Sequence, residues 1–123
     1  MLILGHNLLE KTSFYFIKET PKDKLNNYCL YYDEKIISCL KAQKKDFSII
    51  IQNKDEIFLA NAIGAKFLIF EDENLAKFAS EVAEFYLFDS KILFLVDTLS
   101  EFEIFYKLRV DGVILKDIIK NFN

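Results

Sequence analysis

The sequence predicts an α/β domain with a mostly parallel sheet of five to six strands and helices on both faces. Three observations predict it. Strand-like apolar runs alternate with helix-like runs at least four times, and parallel strands need such crossovers. Ser48–Ile51, Phe67–Phe70 and Ile92–Val96 are almost continuously apolar, the pattern of strands buried on both faces. Finally, the stretch Phe47–Asp72 registers on Ile92–Asp117 without a gap when shifted by 45 positions, with Glu56 on Glu101, Ile69 on Ile114 and Asp72 on Asp117. A partial (βα) barrel is the alternative architecture. A full eightfold barrel takes about 200 residues or more, and this chain has 123.

The chain reads as one domain, 1–123, in which 1–26 form an N-terminal extension of short strands and 27–123 carry the repeated units. Leu2–Leu4 and Phe14–Ile17 are expected either to pair as a small hairpin or to leave only the second as a strand. Lys18–Asn27 holds the only proline and reads as a loop. Tyr28–Tyr32 is a strand closed by Asp33 and Glu34, and a helix follows to about Lys44, with Ile36, Ile37 and Leu40 on one side.

The next helix opens with a capping box, Asn53 with Glu56, and the second unit repeats the pattern as Thr98 with Glu101. Gly64 ends the first of these helices, because glycine enters the left-handed C′ position without strain. The longest helix begins between Glu71 and Asn74 and runs to about Phe88. Leu75, Phe78, Ala79, Val82, Phe85 and Tyr86 form its expected core face, with Lys77, Ser80, Glu81 and Glu84 opposite.

In the helix Thr98–Leu108, Leu99, Phe102, Phe105 and Tyr106 make the arc facing the sheet. Ile104 and Leu108 fall outside that arc. They are expected to touch a neighbouring helix or a second copy in a two-fold homodimer. Asp117–Phe122 reads as a short final helix. Ile50 and Ile69 are expected to lie in central strands, covered on both sides by helices.

Bulk properties exclude several function classes. The net charge is −3, and only one of 16 basic residues, Arg109, is an arginine, so no nucleic-acid face is expected. No apolar run approaches about 18 residues, so no membrane span is expected. The N-terminus has neither a basic leader nor a cleavage site. Cys29 and Cys39 fit no metal or redox spacing and read as free thiols in a reducing cytoplasm. The lone histidine, His6, reads as a turn residue, and Tyr28, Tyr31 and Tyr32 as sheet and core residues. GxGxxG, Walker A, HExxH and GxSxG are all missing.

Ligands of open parallel sheets bind beyond the carboxyl ends of the strands. Asp33, Glu34, Glu71, Asp72 and Asp97 follow strands here and form a candidate acidic cluster, able to offer oxygen ligands to Mg²⁺. Lys116 is the candidate phosphate contact. The same residue types also serve as helix caps and dipole partners.

From about Asn27 onward the chain resembles a response-regulator receiver domain, of flavodoxin-like fold. YCLYYDEKI looks like its first strand with the acidic pair, FSIIIQNKDEIFLANAIGAKFLIFED like the second strand through the third, and KILFLVDTLSEFEIFYKLRVDGVILKD like the fourth strand through the fifth. The resemblance implies Asp33 and Glu34 as metal-binding acids and Lys116 as the phosphoryl contact. It places Glu71 at the phospho-acceptor aspartate and Val96 at the switch hydroxyl, so the implied module is a degenerate one. GAKFLIF and VDGVIL also look like strand entries of phosphate-binding (βα) barrel enzymes, without the glycine-rich phosphate loop. The chain is similar, too, to small uncharacterised bacterial α/β proteins. Together these readings give a cytoplasmic, non-enzymatic interaction or regulatory module that needs no cofactor and acts through a protein partner, a homodimer among the options. The alternative is a small metal- or phosphate-ligand-binding enzyme that uses the acidic edge, with Mg²⁺ as its cofactor.

Overall fold

A computed structural model describes residues 1–122. Its class is α/β, with eight strands and four helices in the order β1 (Leu2–Leu4), β2 (Phe14–Phe16), β3 (Tyr28–Tyr31), α1 (Glu34–Ala42), β4 (Phe47–Ile50), α2 (Lys54–Ala62), β5 (Phe67–Phe70), α3 (Glu73–Tyr86), β6 (Lys91–Val96), α4 (Phe102–Leu108), β7 (Gly112–Leu115) and β8 (Ile119–Lys120). Every pairing in the sheet is parallel, in the order β1-β7-β6-β5-β4-β3-β2-β8. Two short edge strands, β1 and β8, take the sheet beyond the expected five to six.

The sheet must curl. β7 and β8 are six strand spacings apart in the order, which in a flat sheet would be on the order of 29 Å. Yet only Lys116–Ile118, one 3₁₀ turn, joins them, and four residue steps reach at most about 14 Å. The two edges therefore approach each other, and the β7–β8 segment closes a ring whose other members are β2 to β6. The two-residue β8 joins β2 through Phe14 opposite Ile119 and Tyr15 opposite Lys120.

Strand order also decides where the helices go. From β2 to β7 each strand lies beside its predecessor, with none of the reversal of a doubly wound sheet. Right-handed crossovers that all step the same way put every helix on the same face. The core divides accordingly. Leu30, Ile49, Ile51, Leu68, Phe70 and Ile92 pack outward against Ile36, Ile37, Leu40, Ile57, Ala60, Ala76 and Ala79 of the helices. Alternate strand residues, Phe14, Phe16, Cys29, Ile50, Ile69, Leu93, Ile114 and Ile119, point inward to a second cluster with no helical member. This is the partial-barrel alternative within the expected α/β class, with the helices on one face of the curled sheet and not on both, because the strand order never reverses between β2 and β7. Ile50 and Ile69 are buried as expected, but strands rather than helices surround them.

Several local signals act as read. Asn53 Oδ1 accepts from Glu56 N at 3.1 Å, and Glu56 Oε1 accepts from Gln52 N at 2.9 Å, one residue before the cap amide of the usual box. At the end of α2, Gly64 has φ +92, Gly64 N donates to Asn61 O, and Ala65 N donates to Ala60 O. That is a Schellman stop. Gly112 carries no side chain for a different reason: a Cβ there would lie 2.2 Å from the Leu2 carbonyl oxygen, so β1 can join β7 only at glycine.

Other expectations give way. β1 and β2 do not form a hairpin; β1 pairs β7, and β2 pairs β3 and β8. Thr98 and Glu101 make no capping box, because α4 starts only at Phe102, Glu101 is left-handed at φ 56, and the Thr98 hydroxyl meets that of Ser100 at 3.1 Å. Leu99 therefore precedes the helix. The expected final helix is a 3₁₀ turn and a strand. The longest helix stops at Tyr86 with a left-handed Leu87.

The inner cluster sets a stability test. Ile69 is fully buried in it, and trimming such a side chain leaves a cavity that strands alone must close. Ile69→Ala should cost about 2–5 kcal/mol in a urea unfolding experiment. A loss well below about 1 kcal/mol would show that the ring interior is not packed.

Candidate functional site

In a parallel ring all strand carboxyl ends open on one rim, and that rim gathers the residues expected to carry chemistry. Asp33 follows β3, Glu71 and Asp72 follow β5, Asp97 follows β6 and Lys116 follows β7. All five of the acids, Asp33, Glu34, Glu71, Asp72 and Asp97, are exposed. Two have defined structural work. Asp33 Oδ1 accepts from Ile36 N at 3.2 Å and caps α1; Asp72 Oδ1 accepts from Asn74 N at 3.1 Å and caps α3. Each puts a negative charge at the positive end of a helix dipole. Glu34 Oε1 accepts from the Tyr32 hydroxyl at 3.4 Å. Among the described residues no three of His, Cys, Asp and Glu come together as a metal-binding group. The acids are thus strung around a circle by the strands they follow rather than gathered at one point.

The centre of the rim is aromatic. Phe16 ends β2 and Tyr31 ends β3, with ring centroids 5.6 Å apart and planes at 82°. Phe122, two residues beyond β8, lays its ring 4.9 Å from that of Phe16 and 6.5 Å from that of Tyr31. The Lys116 ammonium lies 5.7 Å from the Phe122 centroid, a cation–π contact. Burial holds the Tyr31 hydroxyl above its usual pKa, and the nearby Glu71 carboxylate adds to the effect. One layer below, burial pushes the Cys29 thiol up to about 12, so it stays protonated and inert. Cys29 and Cys39 are both free.

The helix-covered outer surface holds residues the sequence pattern placed wrongly. Ala76, Ala79 and Ser80 are the residues of α3 buried against the sheet, and the Ser80 hydroxyl donates to Ala76 O at 2.9 Å. Small residues let this helix lie close to the strands, so its largest side chains turn away. Phe85 is 78% exposed, Tyr86 62% and Leu87 83%. They join Phe58 of α2: Phe58 meets Phe78 at 6.3 Å and Tyr86 at 6.4 Å, and Phe85 meets Tyr86 at 4.8 Å, all close to edge-to-face. A sequence signal existed for this patch. α2 reads Ile57, Phe58, Leu59, Ala60, four consecutive apolar residues that spread beyond a single stripe, and such a helix covers more than its own core.

On α4 only Phe105 is buried, against Phe94 at 5.5 Å. Tyr106 was expected to face the sheet and is exposed instead; Phe102 lies at the margin of exposure. Ile104 is exposed and Leu108 half-buried. Arg109 pairs with Glu84 at 3.5 Å, tying α4 to α3 at the surface.

No family model, curated protein or solved structure gives a significant match to the chain. Among the described residues no helix is long and apolar enough to cross a membrane.

The capping role of the rim acids is testable. Asp33→Ala should lower stability by about 1 kcal/mol, whereas Asp33→Asn, which keeps the accepting oxygen, should cost only a few tenths. Urea unfolding of both variants checks this. Equal losses would mean that the charge of Asp33, and not its cap, is what the fold uses.

Proposed function

We propose that this chain is a non-enzymatic interaction module of the cytoplasm, and that its outer α2–α3 surface makes the contact. The observation that carries the reading is the ring cluster of Phe58, Phe85 and Tyr86, with Leu87 beside it, left in solvent on a fold whose other aromatics are largely packed. Exposed aromatic clusters of this kind are the anchors of protein interfaces. The rim acids favour the same reading, since Asp33 and Asp72 are engaged as caps. The receiver-like resemblance contributes through its altered positions alone, Glu71 and Val96, which supply neither the acceptor aspartate nor the hydroxyl of a phospho-switch. Two free cysteines suit a reducing compartment.

The partner proposed is a second copy of this chain. A two-fold axis sets the same patch against itself, and an apolar patch meets itself without charge conflict. The small net charge of −3 opposes this little. Ile104 and Leu108 of the neighbouring α4 are the second surface to test.

Sedimentation over a range of concentrations decides between them. The wild type should form a dimer, and Tyr86→Glu combined with Phe85→Ser should give a folded monomer, since both side chains are already in water. Dissociation by Ile104→Glu alone would move the interface to α4. A wild type that stays monomeric at every concentration would contradict self-association.

A further inference from the structure

The mouth of the ring is closed by the chain itself. Beneath it, Phe14, Cys29, Ile50, Ile69, Leu93 and Ile114 line a mainly apolar interior, which the buried Ser48, opposite Cys29 in the strand register, shares. Above them Phe16 and Tyr31 form two walls of a slot at the strand carboxyl ends, and Lys116 overhangs it. A phenyl ring, that of Phe122, fills the slot. The segment that delivers this ring is anchored by the buried Ile119 and otherwise lightly held. Its 3₁₀ turn has no side-chain cap, β8 pairs on one side only and for two residues, and Asn121 is left-handed at φ 66. Lys116 makes no ion pair among the described residues, so its ammonium is free to face a ring. Short, one-sided pairings of this kind open well before a fold unfolds as a whole.

We propose that the slot formed by Phe16, Tyr31 and Lys116 is a binding site for a neutral, electron-rich aromatic ring, and that Lys116–Phe122 is a displaceable strap whose own ring competes for it. The ring chemistry follows from the occupant: two aromatic walls accept a flat apolar group, and a cation over its face favours electron-rich π systems, indole above all. The competition follows from covalent tethering. A ligand reaches the slot only in the fraction of molecules with the strap lifted, and its apparent affinity falls by that fraction.

The experiment uses indole as probe and a saturated bicyclic alcohol of similar size as control, with binding followed by NMR shifts of residues around Phe16 and Tyr31. Phe122→Ala should bind indole at least about tenfold more tightly than wild type does, and should prefer it to the saturated control. Adding Lys116→Met should abolish that preference. A folded Phe122→Ala protein that binds indole no better than wild type, or binds both probes alike, overturns the site. Hydrogen exchange on the wild type is the companion measurement and stands even if Phe122→Ala does not fold. Amides of Ile119 and Lys120 should exchange at least about a hundredfold faster than those of β4 and β5, as sub-global opening requires. If they exchange only with those strands, the segment is a fixed part of the ring and the strap is overturned.

Discussion

The closure of the sheet depends on one short connection. Lys116–Ile118 carries the chain from β7, near one edge, to β8, which pairs β2 at the other. A connection this short cannot cross a flat sheet of this width, so the strands must wrap. Once they wrap, each strand needs two different apolar faces. The outer one meets helices and the inner one meets only other strands, which is why the core divides into two clusters with alternate strand residues in each. The rim and its aromatic centre follow from the same wrap.

That geometry also separates two surfaces with different chemistry. The rim carries carboxylates, but they are spaced around a circle and Asp33 and Asp72 hold helix ends. The outer surface carries large apolar side chains that touch one another but stay largely open to solvent. Ala76, Ala79 and Ser80 draw α3 onto the strands, and the cost of that close approach is that Phe85 and Tyr86 face water. Burying an aromatic side chain is worth roughly 2–3 kcal/mol, so a surface that leaves several exposed has a strong tendency to find a partner. The proposed interaction module rests on this imbalance.

Much of this was legible in the sequence, and the exceptions have physical causes. The apolar runs at Ser48–Ile51, Phe67–Phe70 and Ile92–Val96 all fell in strands or at their ends, and the 45-residue shift holds for β5 and β7, 67–70 against 112–115. Gly64 and the Asn53–Glu56 pair worked because caps and stops are local chemistry. The direction of each strand face was not legible. In a run such as Ile49–Ile50–Ile51 both faces are apolar, so nothing distinguishes the inward residue from the outward ones. Asp117–Phe122 was read as helix because Ile118, Ile119 and Phe122 are spaced as well for one helical turn as for a turn and a strand; closure against β2, a long-range event, decided it. On α3 the pattern was read by hydrophobicity, whereas the packing was decided by size. The Thr98–Glu101 pair had the right spacing but no helix beneath it, since α4 begins after both.

The most direct test of the account is whether β8 lies against β2 in solution. A nitrogen-edited NOESY spectrum of the wild-type chain should show backbone contacts between Phe14 and Ile119 and between Tyr15 and Lys120, the pairs that close the ring. Their presence together with the β2–β3 and β6–β7 contacts is the predicted result. An intact ladder from β2 to β7 with no contact from Ile119 or Lys120 to β2 would mean an open sheet, and would contradict the closed ring on which the rest of this structure depends.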